Sequence, residues 1–163
     1  MRLISKILLF IFISTISFIS SGNESFLFEK LQLQISKYSS KLEQCQAQRA
    51  LPQLNGESIA KLKPIIEESP LALSYLSNKA TNECLQPERS ELAESILAAL
   101  SDAKNKSTLE LAKSTGKLTF GGEAESEKVF FSLPIHEQKL LLEEPSLQVP
   151  FARLETFELL IGM

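Results

Sequence analysis

Phe28, Leu31, Ile35, Tyr38, Leu42 and Cys45 recur at alternating spacings of three and four, the repeat that lines one face of an α-helix. The spacing predicts a long amphipathic helix over about Glu24 to Arg49, with Lys30, Gln34, Lys37, Lys41 and Gln48 on the opposite face. An apolar stripe of this kind is stable in water only when other elements cover it. It is too short for a sustained coiled coil, so the cover must come from the rest of the chain. Because Cys45 lies on the stripe, a cysteine bonded to it must sit on an element packed against the same face.

That constraint selects the partner. The other cysteine is Cys84, at the end of a second stripe made by Leu73, Leu76 and Ala80. The two are not in a Cys-x-x-Cys arrangement, and His136 is the sole imidazole available to join them, so neither redox nor zinc spacing is present. A structural disulfide between Cys45 and Cys84 is expected, joining the first helix to the third.

A disulfide requires an oxidising compartment, and the N-terminus is written for one. Arg2 and Lys6 precede an apolar run from Ile7 to Ile19, broken only by Ser14, Thr15 and Ser17, and followed by Ser20, Ser21 and Gly22. This is the order of a secretory signal peptide. The run would rise only about 20 Å as a helix, whereas a membrane span takes about 20 residues, and Gly22, Asn23 and Glu24 stop its extension. Residues 1–22 are therefore read as a signal peptide, cleaved after Ser21 or Gly22. Residues 23–163 are read as a single helical domain, destined for the periplasm or the extracellular space. Without Arg2 and Lys6 the chain keeps 15 basic and 20 acidic side chains, a net charge near −5. That balance gives no general attraction to nucleic acid or anionic lipid.

Further helices are predicted along the chain. Asn55 caps one that ends near Glu68 and must accommodate Pro64. Ser69-Pro70 starts the third, and Pro87 opens a fourth through Leu92, Ile96, Ala99, Leu100 and Ala103. Ser107 with Glu110 forms a capping box for a short fifth, ending at Thr115-Gly116. Between residues 117 and 133 the helical pattern fails. Leu118-Thr119-Phe120 and Val129-Phe130-Phe131 are β-type runs around Gly121-Gly122, read as a small hairpin or, preferably, an ordered loop. Ser132 then caps a helix to Glu143, and Pro150 opens a last one carrying Phe151, Leu154, Phe157, Leu160 and Ile161. The expected fold is mainly all-α, six or seven helices in a compact orthogonal or bundle-like packing.

Catalytic groups are sparse. Asp102 is the single aspartate, and no serine lies in a Gly-x-Ser-x-Gly turn. Serine precedes lysine by three at Ser58/Lys61, Ser101/Lys104 and Ser114/Lys117, a spacing that composition alone produces. No phosphate loop or cofactor motif is present, and neither a cofactor nor a metal is expected. Apolar clusters at Phe120, Phe130, Phe131, Phe151 and Phe157 are the candidate partner-binding residues, with Glu123, Glu125 and Glu127 as an acidic rim. The sequence thus reads as an exported, non-enzymatic protein that binds another protein as inhibitor, immunity-type neutraliser, accessory subunit or adaptor. The alternatives are a glycan hydrolase using two glutamates and an apolar-ligand carrier.

Overall fold

A computed structural model describes the backbone of residues 2–162 and the side chains of residues 24–162. The side chains of the expected signal peptide lie outside the described residues. Eight α-helices are found among those residues: α1 (Arg2–Ala47), α2 (Gly56–Glu68), α3 (Pro70–Cys84), α4 (Glu88–Asp102), α5 (Lys106–Phe120), α6 (Ala124–Ser132), α7 (Ile135–Glu143) and α8 (Arg153–Ile161). A 3-10 turn at Pro145–Leu147 precedes α8. The all-α class expected from the sequence is the one observed, with no sheet among the described residues. The nearest approach to one is a parallel bridge between Ala50 and Phe151.

The apolar interior falls into two clusters. Leu31 of α1 packs with Leu92, Ile96 and Ala99 of α4 and Ala112 of α5. The larger cluster gathers Leu62, Ile65 and Ile66 of α2, Leu73 and Leu76 of α3, Phe130 of α6, Leu141 of α7 and Leu160 of α8. The buried line of α1 is Leu27, Leu31, Gln34 and Cys45. Gln34, expected on the solvent face, lies three residues after Leu31 and four before Tyr38, so helical geometry carries it onto the packed side. Cys45 and Cys84 are bonded, with their Cα atoms 6.0 Å apart. The covalent link from α1 to α3 is the one that the two stripes require.

Asparagine side chains cap the starts of two helices. Asn55 accepts the Ser58 N–H at 2.8 Å and starts α2. Asn105, two residues before the expected cap Ser107, accepts the Ser107 N–H at 2.8 Å and starts α5. The preceding turn is held from a distance, because the Glu24 carboxylate accepts the backbone N–H groups of Lys104 and Asn105.

Residues 117–133 correct the expectation of a hairpin or loop. The chain stays helical through Gly116, where α5 lies so close to α4 that an added Cβ would touch the Ile96 side chain at 3.6 Å. Packing of this kind outweighs the weak intrinsic cost of a mid-helix glycine. The helix ends at Gly121, where a Cβ would run into the Lys117 carbonyl oxygen. After that break, Ser126 and Phe130 lie four apart and are both buried. The β preference of Val129-Phe130-Phe131 yields to this contact with α3.

Two smaller boundaries also move. Ser132 is the last residue of α6 and donates its hydroxyl to the Val129 carbonyl at 2.7 Å, so it does not cap α7. Pro150 does not open the last helix: Phe151 is held in the bridge to Ala50, the Ala152 N–H donates to the Ala50 carbonyl at 3.0 Å, and α8 starts at Arg153. Gly162 ends α8 with φ of 78°, a left-handed C-cap.

The disulfide closes a loop of 39 residues, which restricts the unfolded chain. Replacing both cysteines with alanine is expected to lower the unfolding free energy by about 2–5 kcal/mol, measured by urea denaturation of the oxidised protein and the double variant.

Candidate interaction surface

On α3, Tyr75, then Asn78 and Lys79, then Asn82 follow at spacings of three and four on a different side from the buried Leu73, Leu76 and Ala80, and Gln86 lies in the turn just after the helix. Across from them, Glu123, Ser126 and Glu127 lie at the start of α6. Together with Glu83 these residues line an open cleft of about 240 Å3.

Glu123 is the best-anchored carboxylate in the cleft. The Asn82 side-chain amide donates to both of its oxygens at 3.1 and 3.2 Å. Arg89 reaches it from α4 with Nη2 at 3.5 Å, while Nη1 donates to the Thr119 carbonyl at 3.3 Å. The same guanidinium lies 4.6 Å from the centre of the Phe120 ring, a cation–π position. Lys79 pairs with Glu83 at 2.5 Å and donates to Gln148 at 3.5 Å. Burial holds the Tyr75 phenol above its ordinary pKa, with Glu127 and Glu83 adding to the effect against the opposing charge of Lys79. Its hydroxyl therefore stays protonated and available as a donor.

Tyr75 also begins an aromatic cluster. Its ring stacks on Phe130 at 4.2 Å between centroids and meets Phe131 edge-on at 5.5 Å. Phe130 is completely buried, whereas Phe131 is 57% exposed and Ile135, at the start of α7, is 83% exposed. The side chains that follow one another at 130 and 131 thus divide between core and solvent.

The five phenylalanines singled out in the sequence do not form one surface. Phe130 and Phe151 are core residues, because α6 and the segment before α8 turn them onto α2 and α3. Phe120 is partly exposed under Arg89, and Phe157 is half-buried in a groove between α3 and α8. Phe131 remains the exposed aromatic beside the cleft. Tyr75, Asn82, Arg89 and Ile135 were not marked by the sequence reading. The polar stripe of α3 is the feature that could have marked the first two.

The catalytic candidates are dispersed. His136 is exposed, its nearest acid being Glu137 at 3.8 Å. Ser58 donates to Glu144 at 2.8 Å, while Lys61 pairs with Glu57 at 2.6 Å. Ser114 donates to the Leu111 carbonyl, and Ser101 to Asp102. None of the three serines therefore hydrogen-bonds to the lysine that follows it. At Glu144 burial raises the carboxyl pKa, but hydrogen bonds from Ser58 and from the hydroxyl and N–H of Ser146 outweigh it and leave the group lowered. That direction keeps the carboxylate charged, the opposite of what a proton donor to a sugar needs. Among the described residues, no three potential ligands gather to hold a metal ion.

Two outcomes follow from the burial and charge of these groups. Phe130→Ala is expected to cost about 3–5 kcal/mol of stability, and Phe131→Ala less than about 1 kcal/mol, both read from denaturant midpoints. Because the folded pKa of Glu144 lies below its ordinary value of 4.5, its contribution is complete above that pH and is lost as pH falls through the folded value. The stability difference between the wild type and Glu144→Gln should therefore be constant at neutral pH and shrink below about pH 4.5, as measured by thermal melts across a pH series. No protein-family model matches the chain, and neither curated proteins nor solved structures contain a match to it.

Proposed function

We propose that the chain is exported and acts without catalysis, by holding another protein against the face formed by α3 and α6. The observation that carries this reading is the exposed Phe131 ring, edge-on to Tyr75 of a cleft whose walls bring three carboxylates together. An exposed aromatic next to a fixed polar rim is the composition of an interaction hot spot. The partner that suits it presents an apolar side chain to Phe131 and a basic group to Glu123 and Glu127. An inhibitor, an immunity-type neutraliser, an accessory subunit and an adaptor all work through such a contact.

Export is supported by the charged, apolar and small-residue order of residues 1–22 and by the disulfide, a bond that persists in oxidising compartments. Among the described residues no helix is long and apolar enough to cross a membrane. The mature chain accordingly has no stable membrane anchor in this reading, and its negative charge disfavours nucleic acid.

The test uses the native exported fraction, with the folded protein as bait. A partner captured by the wild type should be lost by about tenfold or more in affinity with Phe131→Ser, a change of ~1.4 kcal/mol. It should be retained with Leu118→Ser, which alters a still more accessible leucine on α5. Intact mass of the secreted product should place its first residue at Gly22 or Asn23. Undiminished capture by Phe131→Ser rejects the surface, and a product that stays in the cytosol with residue 1 retained rejects export.

A further inference from the structure

A second concavity lies where the first turns of α3 meet α8. Pro70, Leu71 and Leu73 of α3 face Leu154 and Phe157 of α8 across an open groove of about 180 Å3. Leu71 and Leu154 are left exposed there, the latter by 64%. Ser74 and Arg153 are the two polar side chains in the lining. They are joined, with Arg153 Nη1 donating to Ser74 Oγ at 3.1 Å.

That hydrogen bond aims a charge. It uses one of the five guanidinium donors, and among the described residues Arg153 forms no ion pair with a carboxylate. The groove therefore combines apolar walls with a positioned cation and a hydroxyl at one edge. A neutral apolar guest would cover the walls and leave the guanidinium unanswered. A cationic guest would meet like charge. A carboxylate can take two donors of Arg153 and the hydroxyl of Ser74 at once, the strong bidentate geometry. The volume is below the roughly 300–1,000 Å3 of sites for drug-sized molecules, so the apolar part must be short.

We propose that this groove binds a short aliphatic monocarboxylate, its hydrocarbon chain along Leu71, Leu154 and Phe157 and its carboxylate on Arg153 and Ser74. The site is separate from the α3–α6 face and does not depend on it.

The experiment is a titration of the full-length, oxidised protein with octanoate, octanol and octylammonium, followed by amide resonances in two-dimensional NMR. Octanoate should shift Leu71, Ser74 and residues 153–157 saturably, and octylammonium should leave them in place. Arg153→Gln should weaken octanoate binding by at least tenfold. Arg153→Lys, which keeps the charge but loses the planar fork, should fall between that variant and the wild type. Both substitutions are at an exposed position, and unchanged spectra elsewhere will show that the fold is kept. Equal binding of octanol and octanoate, or full octanoate affinity in Arg153→Gln, overturns the proposal. So does an absence of octanoate shifts with concentration-dependent self-association that Leu154→Asp abolishes, since a second copy then occupies the groove.

Discussion

The bond between Cys45 and Cys84 sits where two interiors meet. One is built on α1, α4 and α5, the other on α2, α3, α6, α7 and α8. The chain crosses between them three times, and the sulfur bridge lies beside the crossing at the short turn from α3 to α4, with Cys45 wholly buried. A cluster of five buried apolar side chains is a thin core by itself, because small interiors bury too little surface to offset the conformational entropy of ordering the chain. Joining α1 covalently to the larger half reduces the freedom that the smaller half must give up.

Weaker stitches run along the same seam. Arg89 on α4 touches the end of α5 through Thr119 and Phe120, and the start of α6 through Glu123. Asn82, at the far end of α3, grips the same carboxylate. The α5–α6 turn is thereby tied to both halves, and the orientation of α6 depends on it. This matters for the exposed face, since α6 carries Phe130 inward and Phe131 outward. A rotation of α6 by one residue would exchange them, placing the buried ring in water. Mobility at the cleft is limited by polar contacts, and mobility at the aromatic cluster by the stacking of Tyr75 on Phe130.

Helical spacing made much of this architecture legible. With only two cysteines the pairing was fixed, and the stripes of α1 and α3 told which helix faces the bond joins, because a disulfide must link faces that already pack together. Asn55 and Pro70 announced α2 and α3 through ordinary capping chemistry. The reading failed where local preference and packing disagreed. Val129-Phe130-Phe131 favours a strand in isolation, and only the arrival of α3 makes a helix the better state. Gly116 looks like a stop until the close approach of α4 is known. Likewise, five phenylalanines were equivalent in the sequence, and the fold alone sorts Phe130 and Phe151 into the core and Phe131 into solvent. The cleft was hidden for the same reason, since its walls come from α3 and α6 and no single segment contains its pattern.

The Glu24 carboxylate, which holds the amides of Lys104 and Asn105, would give the position of the proposed N-terminal cut a structural meaning. In a chain beginning at Gly22 or Asn23, Glu24 is the third or second residue. Trimming as far as Ser25 would strip the anion from the α4–α5 bend and leave two peptide donors without it. The proposed cut after Ser21 or Gly22 would leave one or two residues ahead of Glu24 and so keep that anchor in place.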